Sequence, residues 1–471
     1  DEAAGQIGLI GPRNGTAFFS NFSYRERDDL VFDKVETGKT DKNILRSWDL
    51  SRPIPADKYD ISKLNYPQFM TIFYANWKSI HSDRKGLVNV SDYHAKQRGK
   101  KALVLARYIF QSDKKDVVKL QFGYSDELLI LFNTRRIFYG NNSYQFRDPS
   151  YVGVVGYQDS VYLTVEKGLN EIMFVVKDLR GGWGFMARSD RELKAPKHLE
   201  NSVSRVWESG QVFVTPESVK YDPKRDILYV SNYDIRGTDF RNTDISKYTG
   251  FISKVKLDGS IEKLKWVTNL KAPTGIGIYK KHLYVTERGA LVKIEIKNGK
   301  VVKRYPIPNS EFLNGLAISK NGDVYMTDTS GSTPLKGRIF RFSKGKVSLW
   351  MENFDLNKPN CAYIEDDILY IGNSFDCGFK KIDLKTRKID TIARLGAGVI
   401  DGIRIDKQGN HIVSHWRGDL YRIDKKGDVI RILQTGKLFQ NMAGFEYIKS
   451  KNLLIIPTFM GNRVVAYKLN Y

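Results

Sequence analysis

Four oxygen-bearing side chains recur at one position of an internal repeat in the second half of the chain. Glu217, Asn314, Asn360 and Asp401 each stand at the start of a short apolar run. Carboxylate and amide oxygens are the ligands that hard divalent cations take in proteins. The absence of His and Cys from this set favours calcium over zinc or copper. The pattern predicts a divalent metal site, with Ca²⁺ the expected ion and Zn²⁺ or Mg²⁺ the alternatives.

The repeat that carries these residues predicts a six-bladed β-propeller. Each copy reads as an apolar strand, a turn rich in Gly, Asp, Asn and Lys, and a β-branched and aromatic strand, as in residues 314–328 and 401–415. Further strands usually follow, and four-stranded units of about 40–50 residues are typical of propeller blades. The six copies begin at Glu217, Thr274, Asn314, Asn360, Asp401 and Ala443, which we call the ring positions.

The ring positions should face one another in such a fold. The first strand of each blade lines the central channel, and all six first strands enter from the same face. Two carboxylates at Glu217 and Asp401 would neutralise a doubly charged cation. Turn chemistry alone could account for a single Asn or Asp before glycine, but it does not require Glu217 in the same frame.

The end of the chain predicts how the propeller closes. The last copy supplies three strands only, and β-proteins avoid leaving a sheet edge exposed. Residues 205–213 precede the first copy and read as a strand. They are expected to add the fourth strand to the last blade. An insertion at residues 235–250 is expected to form a loop over one face.

The ends of the second strands, which we call the rim, return to the same face and should surround a pocket. There His415 could shuttle protons, Trp416 could wall an apolar substrate, and Arg417 could hold a carboxylate or phosphoryl oxygen. The alternative is structural, with Trp416 packed between blades and the other two bound to backbone carbonyls. The residues predicted to bind substrate are Tyr233, Thr274, Glu287, Arg288, Asp328, Asn373, Trp416 and Arg417.

The first part of the chain predicts a different all-β domain. Strand-like runs at 117–122, 127–133, 161–165 and 170–176 alternate with turns, which indicates a jelly-roll-like β-sandwich. These runs resemble the sandwich modules of secreted glycosidases. Such modules can bind sugars through exposed aromatic residues, although a packing role is favoured here. The expected domains are a sandwich at 1–190, a linker at 191–203 and the propeller at 204–471.

Composition narrows the classes of partner. The net charge is +23, but Lys and Arg are scattered rather than clustered on one element, which disfavours nucleic-acid binding. No apolar run approaches the roughly 18 residues of a membrane-spanning helix. The chain starts at Asp1 without Met, which suggests a processed, secreted or periplasmic protein whose signal segment is absent. Cys361 and Cys377 could form a bridge or remain buried thiols.

The repeat frame, the Asn314-Gly and Asp401-Gly strand starts and the first-blade Glu resemble the regucalcin and gluconolactonase family. The wider group includes paraoxonase and diisopropyl-fluorophosphatase. The resemblance implies that Glu217, Asn314 and Asp401 bind a catalytic metal. Asn360 stands where the paraoxonase and fluorophosphatase branches add a fourth ligand. Asp401 would be the nucleophile or general base, and His415 is our second catalytic candidate.

The resemblance also has departures. The Arg-x-Asn element with which gluconolactonases hold a sugar acid is replaced by Ala-Pro-Thr at residues 272–274. Thr274 replaces the channel His of paraoxonases, and Gly402 replaces the Asn after their blade-five Asp. The resemblance implies a metal-dependent hydrolase of a lactone, ester or phosphotriester, with a small-molecule or carbohydrate-derived substrate. The alternative is a non-catalytic, calcium-stabilised propeller that binds or scaffolds.

Overall fold

A computed structural model describes residues 41–64, 77–94, 100–143, 146, 154–179, 182–234, 249–329, 336–436 and 440–471. Residues 42–471 form one compact unit. The regular elements of its described part are β-strands and 3-10 helices of three residues, and no helix in it is long and apolar enough to span a membrane. The 3-10 helices are Ala56–Lys58, Val90–Asp92, Phe354–Leu356, Lys449–Lys451 and Phe459–Gly461.

The predicted N-terminal sandwich is confirmed as two packed sheets. One sheet contains β1 (Ser47–Leu50), β2 (Ile54–Pro55), β3 (Lys78–His81), β5 (Ala102–Ser112), β7 (Glu127–Phe132), β8 (Arg135–Asn141) and β10 (Gly168–Asp178). The other contains β4 (Leu87–Asn89), β6 (Asp116–Ser125), β9 (Asp159–Val165) and β11 (Gly184–Ser189). Trp48, Phe122, Phe174 and Phe185 fill the space between the sheets. Their rings interlock, with Trp48 and Phe185 centroids 5.0 Å apart.

The central strands β5, β7 and β10 are buried on both faces. Side chains such as Ile130 and Phe174 point into the sandwich core. The alternate residues, such as Leu129 and Met173, pack into a second apolar cluster on the opposite face. This double burial explains why β7 and β10 read as nearly continuous apolar runs rather than as an alternating pattern.

The predicted six-bladed propeller is confirmed. Each of the first five blades is one antiparallel four-stranded unit. Blade one contains β13 (Pro216–Asp222), β14 (Ile227–Asn232), β15 (Gly250–Lys256) and β16 (Ile261–Leu270). Blade two contains β17 (Ile276–Tyr279), β18 (His282–Glu287), β19 (Ala290–Glu295) and β20 (Val301–Pro306). Blade three contains β21 (Leu313–Ile318), β22 (Val324–Asp328), β23 (Gly337–Ser343) and β24 (Lys346–Asn353).

The remaining blades complete the circle. Blade four contains β25 (Pro359–Glu365), β26 (Ile368–Phe375), β27 (Gly378–Asp383) and β28 (Ile389–Leu395). Blade five contains β29 (Gly398–Ile405), β30 (His411–His415), β31 (Asp419–Ile423) and β32 (Val429–Gln434). Blade six contains β33 (Glu446–Ile448), β34 (Leu453–Pro457), β35 (Val464–Leu469) and the earlier strand β12 (Val203–Glu208).

The closure of the ring follows the strand count. β12 pairs antiparallel with β35, with Val203 opposite Leu469 and Glu208 opposite Val465. The prediction that the segment near residue 205 closes the last blade is therefore confirmed. The predicted insertion, residues 235–248 in particular, lies outside the part of the chain that the structure describes. Cys361 and Cys377 are both free, buried thiols.

Candidate functional site

Three of the four predicted ligands meet in a hydrogen-bonded chain at the channel. Asn314 Nδ2 donates to Asn360 Oδ1 at 2.6 Å. Asn360 Nδ2 donates to Asp401 Oδ1 and, at 3.1 Å, to the Ile400 carbonyl. These side chains come from β21, β25 and β29, the first strands of three consecutive blades. These three first-strand positions are therefore neighbours at the channel. The convergence of all four side chains on one ion stays a prediction.

Glycines that follow the ring positions allow this convergence. A Cβ added at Gly315 would lie 2.5 Å from the Asn360 carbonyl oxygen, and one at Gly275 would lie 2.6 Å from the Asn314 carbonyl oxygen. Adjacent blades could not approach so closely with a side chain at either position. The Asn-Gly signature in the sequence thus reflects close packing between blades rather than a turn.

The two ring carboxylates occupy an environment that is unfavourable to their charge. Burial raises the pKa of Asp401 to about 7, although the hydrogen bond from Asn360 opposes the shift. Burial and the negative charge of Asp401 raise the pKa of Glu217 well above its usual range. Within the described residues, no cationic side chain offsets the charge of either group. Two neighbouring buried acids without a counter-ion are an arrangement that a bound cation would relieve.

The donor set fits a hard divalent cation. Glu217 and Asp401 supply carboxylate oxygens, and Asn314 and Asn360 supply amide oxygens, all of which suit calcium. In the described part of the chain, no group of three or more His, Cys, Asp or Glu side chains is placed to bind a metal ion. A metal centre at the ring would therefore depend on the two amides.

The other two ring positions have no free ligand atom. The Thr274 hydroxyl lies 2.9 Å from Thr286 Oγ1 and 3.1 Å from the Asn314 carbonyl oxygen, so it joins blades two and three. Ala443 is fully buried. By contrast, Glu217 and Asp401 keep 7% and 9% of their surface exposed. The geometry of Thr274 supports a structural role, and its predicted contact with substrate stays a prediction.

Two acids at the rim are held within their own blades. Glu287 accepts hydrogen bonds from Arg304 Nε and from the Lys271 backbone N–H, both at 2.9 Å. Asp328 is fully buried. It accepts a hydrogen bond from the Phe312 backbone N–H at 2.7 Å and pairs with Arg338 at 2.7 Å. Both carboxylates are therefore neutralised by the fold.

Three further predicted residues have mixed surroundings. Asn373 is buried, and its Nδ2 donates to Asp376 Oδ1 at 3.2 Å. Arg288 donates to the Tyr233 hydroxyl, and its guanidinium lies 3.7 Å from the centroid of the Phe312 ring. Arg288 is therefore held against aromatic rings at this face of the propeller.

The group at residues 415–417 is engaged by the fold. His415 is fully buried. Its Nε2 lies 3.1 Å from the Ala397 carbonyl oxygen, and its Nδ1 accepts the Arg417 backbone N–H at 3.1 Å. Burial and the charge of Arg417 hold the pKa of His415 well below its usual range. The Arg417 guanidinium pairs with Glu171 of the sandwich. The His415 contact matches the structural alternative, whereas Arg417 pairs with a carboxylate rather than with a backbone carbonyl. A catalytic role for His415 and a substrate contact for Arg417 stay predictions.

An apolar cluster lies beside the ring positions. Two of its aromatic residues, Tyr233 and Trp416, were predicted as site residues, and two others, Phe312 and Phe459, were not. Tyr233 and Phe459 pack with Ala272 and Ala443, and Phe312 and Trp416 pack against that cluster. The ring centroids of Trp416 and Phe459 are 5.8 Å apart. Phe459 follows the second strand of blade six, so the frame that identified Tyr233 could have identified it. Phe312 precedes a first strand, where we expected no site residue.

Comparison with known proteins bears on the propeller. Residues 215–445 match the family described as SMP-30/Gluconolactonase/LRE-like region. The solved structure of luciferin-regenerating enzyme is similar at 14% sequence identity and a TM-score of 0.38, over 56% of this chain and 94% of that chain. No curated protein sequence matches this chain. The family match covers just under half of the chain, all of it in the propeller, and includes all four predicted ligands. The propeller therefore resembles that family.

Proposed function

We propose that this protein is a metal-dependent hydrolase that acts on a lactone, ester or phosphotriester at the ring. The observation that supports it is the pair of buried carboxylates, Glu217 and Asp401, which have no cationic neighbour among the described residues. Such a pair destabilises the fold unless a cation or a proton neutralises it. This cost is offset if the two carboxylates bind a cation at the channel.

The four ring side chains would divide the work. Glu217, Asn314, Asn360 and Asp401 would hold a divalent cation, with Ca²⁺ expected, and a bound cation supplies Lewis-acid polarisation of a carbonyl or phosphoryl oxygen. By one route the Asp401 carboxylate would attack the acyl carbon or phosphorus and expel the ester or lactone oxygen as the leaving group, and water would then hydrolyse the covalent intermediate to restore Asp401. By the other route Asp401 would take a proton from a water that attacks the same atom and expels the same leaving group. Asn360 donates a hydrogen bond to Asp401 Oδ1, which orients the carboxylate for either role.

The surroundings of the ring suggest a partly apolar substrate. Tyr233, Phe312, Trp416 and Phe459 are grouped beside the ring position Ala443, and aromatic side chains provide large apolar contact surfaces. Arg288 stacks on Phe312 within this group and could hold an anionic substituent. His415 has no step in this scheme because backbone groups occupy both of its ring nitrogens.

Assays of the whole chain test the proposal. Lactones, aryl esters and phosphotriesters are supplied with Ca²⁺, with Zn²⁺ and with a chelator. We expect turnover that needs metal and falls at least a thousandfold in Asp401→Asn, because the amide has no negative charge and is not a nucleophile. The matched control is Asp222→Asn, which changes a buried acid of blade one that is paired with Arg225 and has no predicted role in the site. Its folded fraction should retain wild-type turnover.

A different outcome would favour the alternative function. If no substrate shows turnover that depends on both metal and Asp401, while calcium still binds, the propeller is a calcium-stabilised binding or scaffold protein. The hydrogen bonds that connect Asn314, Asn360 and Asp401 would then hold blades three, four and five together.

A further inference from the structure

The N-terminal sandwich is joined directly to the blade boundary that precedes Asp401. Gly168 and Leu169, which begin β10, pair in parallel with Arg394 and Leu395 of β28. The Leu169 carbonyl then accepts the Gly396 backbone N–H at 3.1 Å. One sheet of the sandwich thus continues into blade four, up to the connection between β28 and β29.

The connection itself is buried against the sandwich. Ala397 is 1% exposed and belongs to the apolar cluster that contains Leu129, Met173 and Val175. Gly398 follows with φ +141°. A Cβ at Gly398 would lie 2.3 Å from His415 Cε1, so the backbone there is pressed onto the imidazole ring. Asp401 comes three residues later on the same strand.

The propeller holds the other side of this connection through residues 415–417. His415 Nε2 bonds to the Ala397 carbonyl, and the Trp416 backbone N–H donates to the Val399 carbonyl at 2.9 Å. The Arg417 backbone N–H donates to His415 Nδ1, which assigns the ring proton to Nε2. His415 is therefore a neutral bridge between the β28–β29 connection and the turn after β30.

An ion pair between the domains holds this arrangement. Arg417 Nη1 pairs with Glu171 Oε2, and the two side chains are 10% and 2% exposed. Glu171 lies on β10, three residues after Gly168. A buried ion pair of this kind is costly to break, because the remaining partner keeps an uncompensated charge in a low-dielectric environment. The pair thus fixes the turn after β30 relative to the same strand that pairs with β28.

We propose that Glu171 of the sandwich is a positioning residue for Asp401. Through Arg417 and His415 it sets the path of residues 396–399, and so the position from which β29 presents Asp401 to the ring. The sandwich is then part of the site rather than a detachable accessory. The effect on metal binding rests on the function proposed above, whereas the effect on the backbone does not.

The test uses the full chain and the substitution Glu171→Gln, which is nearly isosteric and removes the charge. We expect at least tenfold weaker Ca²⁺ binding by calorimetry and at least tenfold faster amide exchange in residues 396–401. The matched control is Glu287→Gln, which removes a buried acid paired with Arg304 in another blade. It should change Ca²⁺ affinity and exchange at 396–401 by less than twofold.

Swapping the two charges of the ion pair tests whether Glu171 positions residues 396–401 or only stabilises the fold. Glu171→Arg combined with Arg417→Glu restores the pair in reverse and should return both quantities to within about fivefold of wild type. If Glu171→Gln does not fold, Glu171→Asp keeps the charge on a shorter arm and should show a smaller change in the same direction. If amide exchange at residues 396–401 in folded Glu171→Gln equals that of wild type, the inference is overturned. If wild-type protein binds no calcium, and amide exchange at 396–401 is still faster in Glu171→Gln than in wild type, only the proposed metal site is overturned.

Discussion

The ring and the rim of the propeller hold similar residues in opposite situations. Both contain buried acids at strand ends on the same face. At the rim, Asp328 meets Arg338 and backbone N–H groups, and Glu287 meets Arg304 and one backbone N–H group. At the ring, Glu217 and Asp401 have no cationic neighbour among the described residues. Residue type and burial therefore do not distinguish an acid that the fold pairs with a cation from one that it leaves without a cation.

The difference comes from what the fold places beside each position. The end of a second strand lies beside the outer strands of its own blade. Strands β20 and β23 supply the arginines that pair with Glu287 and Asp328. A first-strand start faces the channel axis, where its neighbours are the equivalent positions of other blades. An acid there meets an amide or another acid. The channel thus concentrates like polar groups that the chain itself does not neutralise.

The same substitution should have a large effect on stability at the rim and a small one at the ring. Asp328→Asn leaves Arg338 without its buried partner, so the free energy of unfolding should fall by about 3–5 kcal/mol. Asp401→Asn removes a buried charge that no cationic side chain among the described residues offsets. The free energy of unfolding of the metal-free protein should therefore change by less than about 1 kcal/mol. Urea denaturation of both variants in chelator measures this. A destabilised Asp401→Asn with an unaffected Asp328→Asn would contradict the comparison.

The predictable features were those that repeat. Six copies in one frame indicated six blades, and the missing strand of the last copy indicated that β12 closes the ring. The convergence of Asn314, Asn360 and Asp401 followed from the same frame. A repeat carries this information because equivalent positions in a propeller occupy equivalent places.

The contacts between the domains could not be predicted in this way. The pairing of β10 with β28 occurs once, and the apolar faces of β10 do not specify what covers them. Glu171 and Arg417 are 246 positions apart, with no pattern linking them. The ion pairs of the rim acids could not be predicted either, because Arg304 and Arg338 lie on outer strands, where the repeat frame is less regular.

A further buried acid, Glu446, tests through pH how cationic neighbours stabilise a buried carboxylate. Glu446 lies in blade six, three residues after the ring position Ala443. Although burial alone would raise it, Arg404 and Lys220 hold the pKa of Glu446 at about 2. A lowered pKa stabilises the folded state above the ordinary value of 4.5, and this is lost as pH falls towards 2. The contribution is about 3 kcal/mol, at about 1.4 kcal/mol per pH unit.

Urea denaturation between pH 2 and pH 6 measures this contribution. In Glu446→Gln the decline in stability below pH 4.5 should be shallower than in wild type, and the two curves should converge near pH 2. Glu352→Gln is the control, because Glu352 is 41% exposed and lies 3.8 Å from Lys336. Its curve should follow wild type. Parallel curves for wild type and Glu446→Gln would show that Arg404 and Lys220 do not favour the charged form.

Calcium itself gives the last comparison between ring and rim. A ligand at 100 times its Kd stabilises the folded state by about 2.7 kcal/mol, so wild-type Tm should rise when calcium is added to that level. In Glu217→Gln the rise should fall below a third of its wild-type size, because the site loses one of its two negative charges. Glu287→Gln should lower the Tm of the metal-free protein, because Arg304 loses its partner, and yet keep the full calcium-induced rise. Thermal unfolding followed by circular dichroism, with calcium and with chelator, measures all three proteins. An equal calcium response in Glu217→Gln and Glu287→Gln would mean that the two acids do not differ as the fold indicates, and that the ion binds elsewhere.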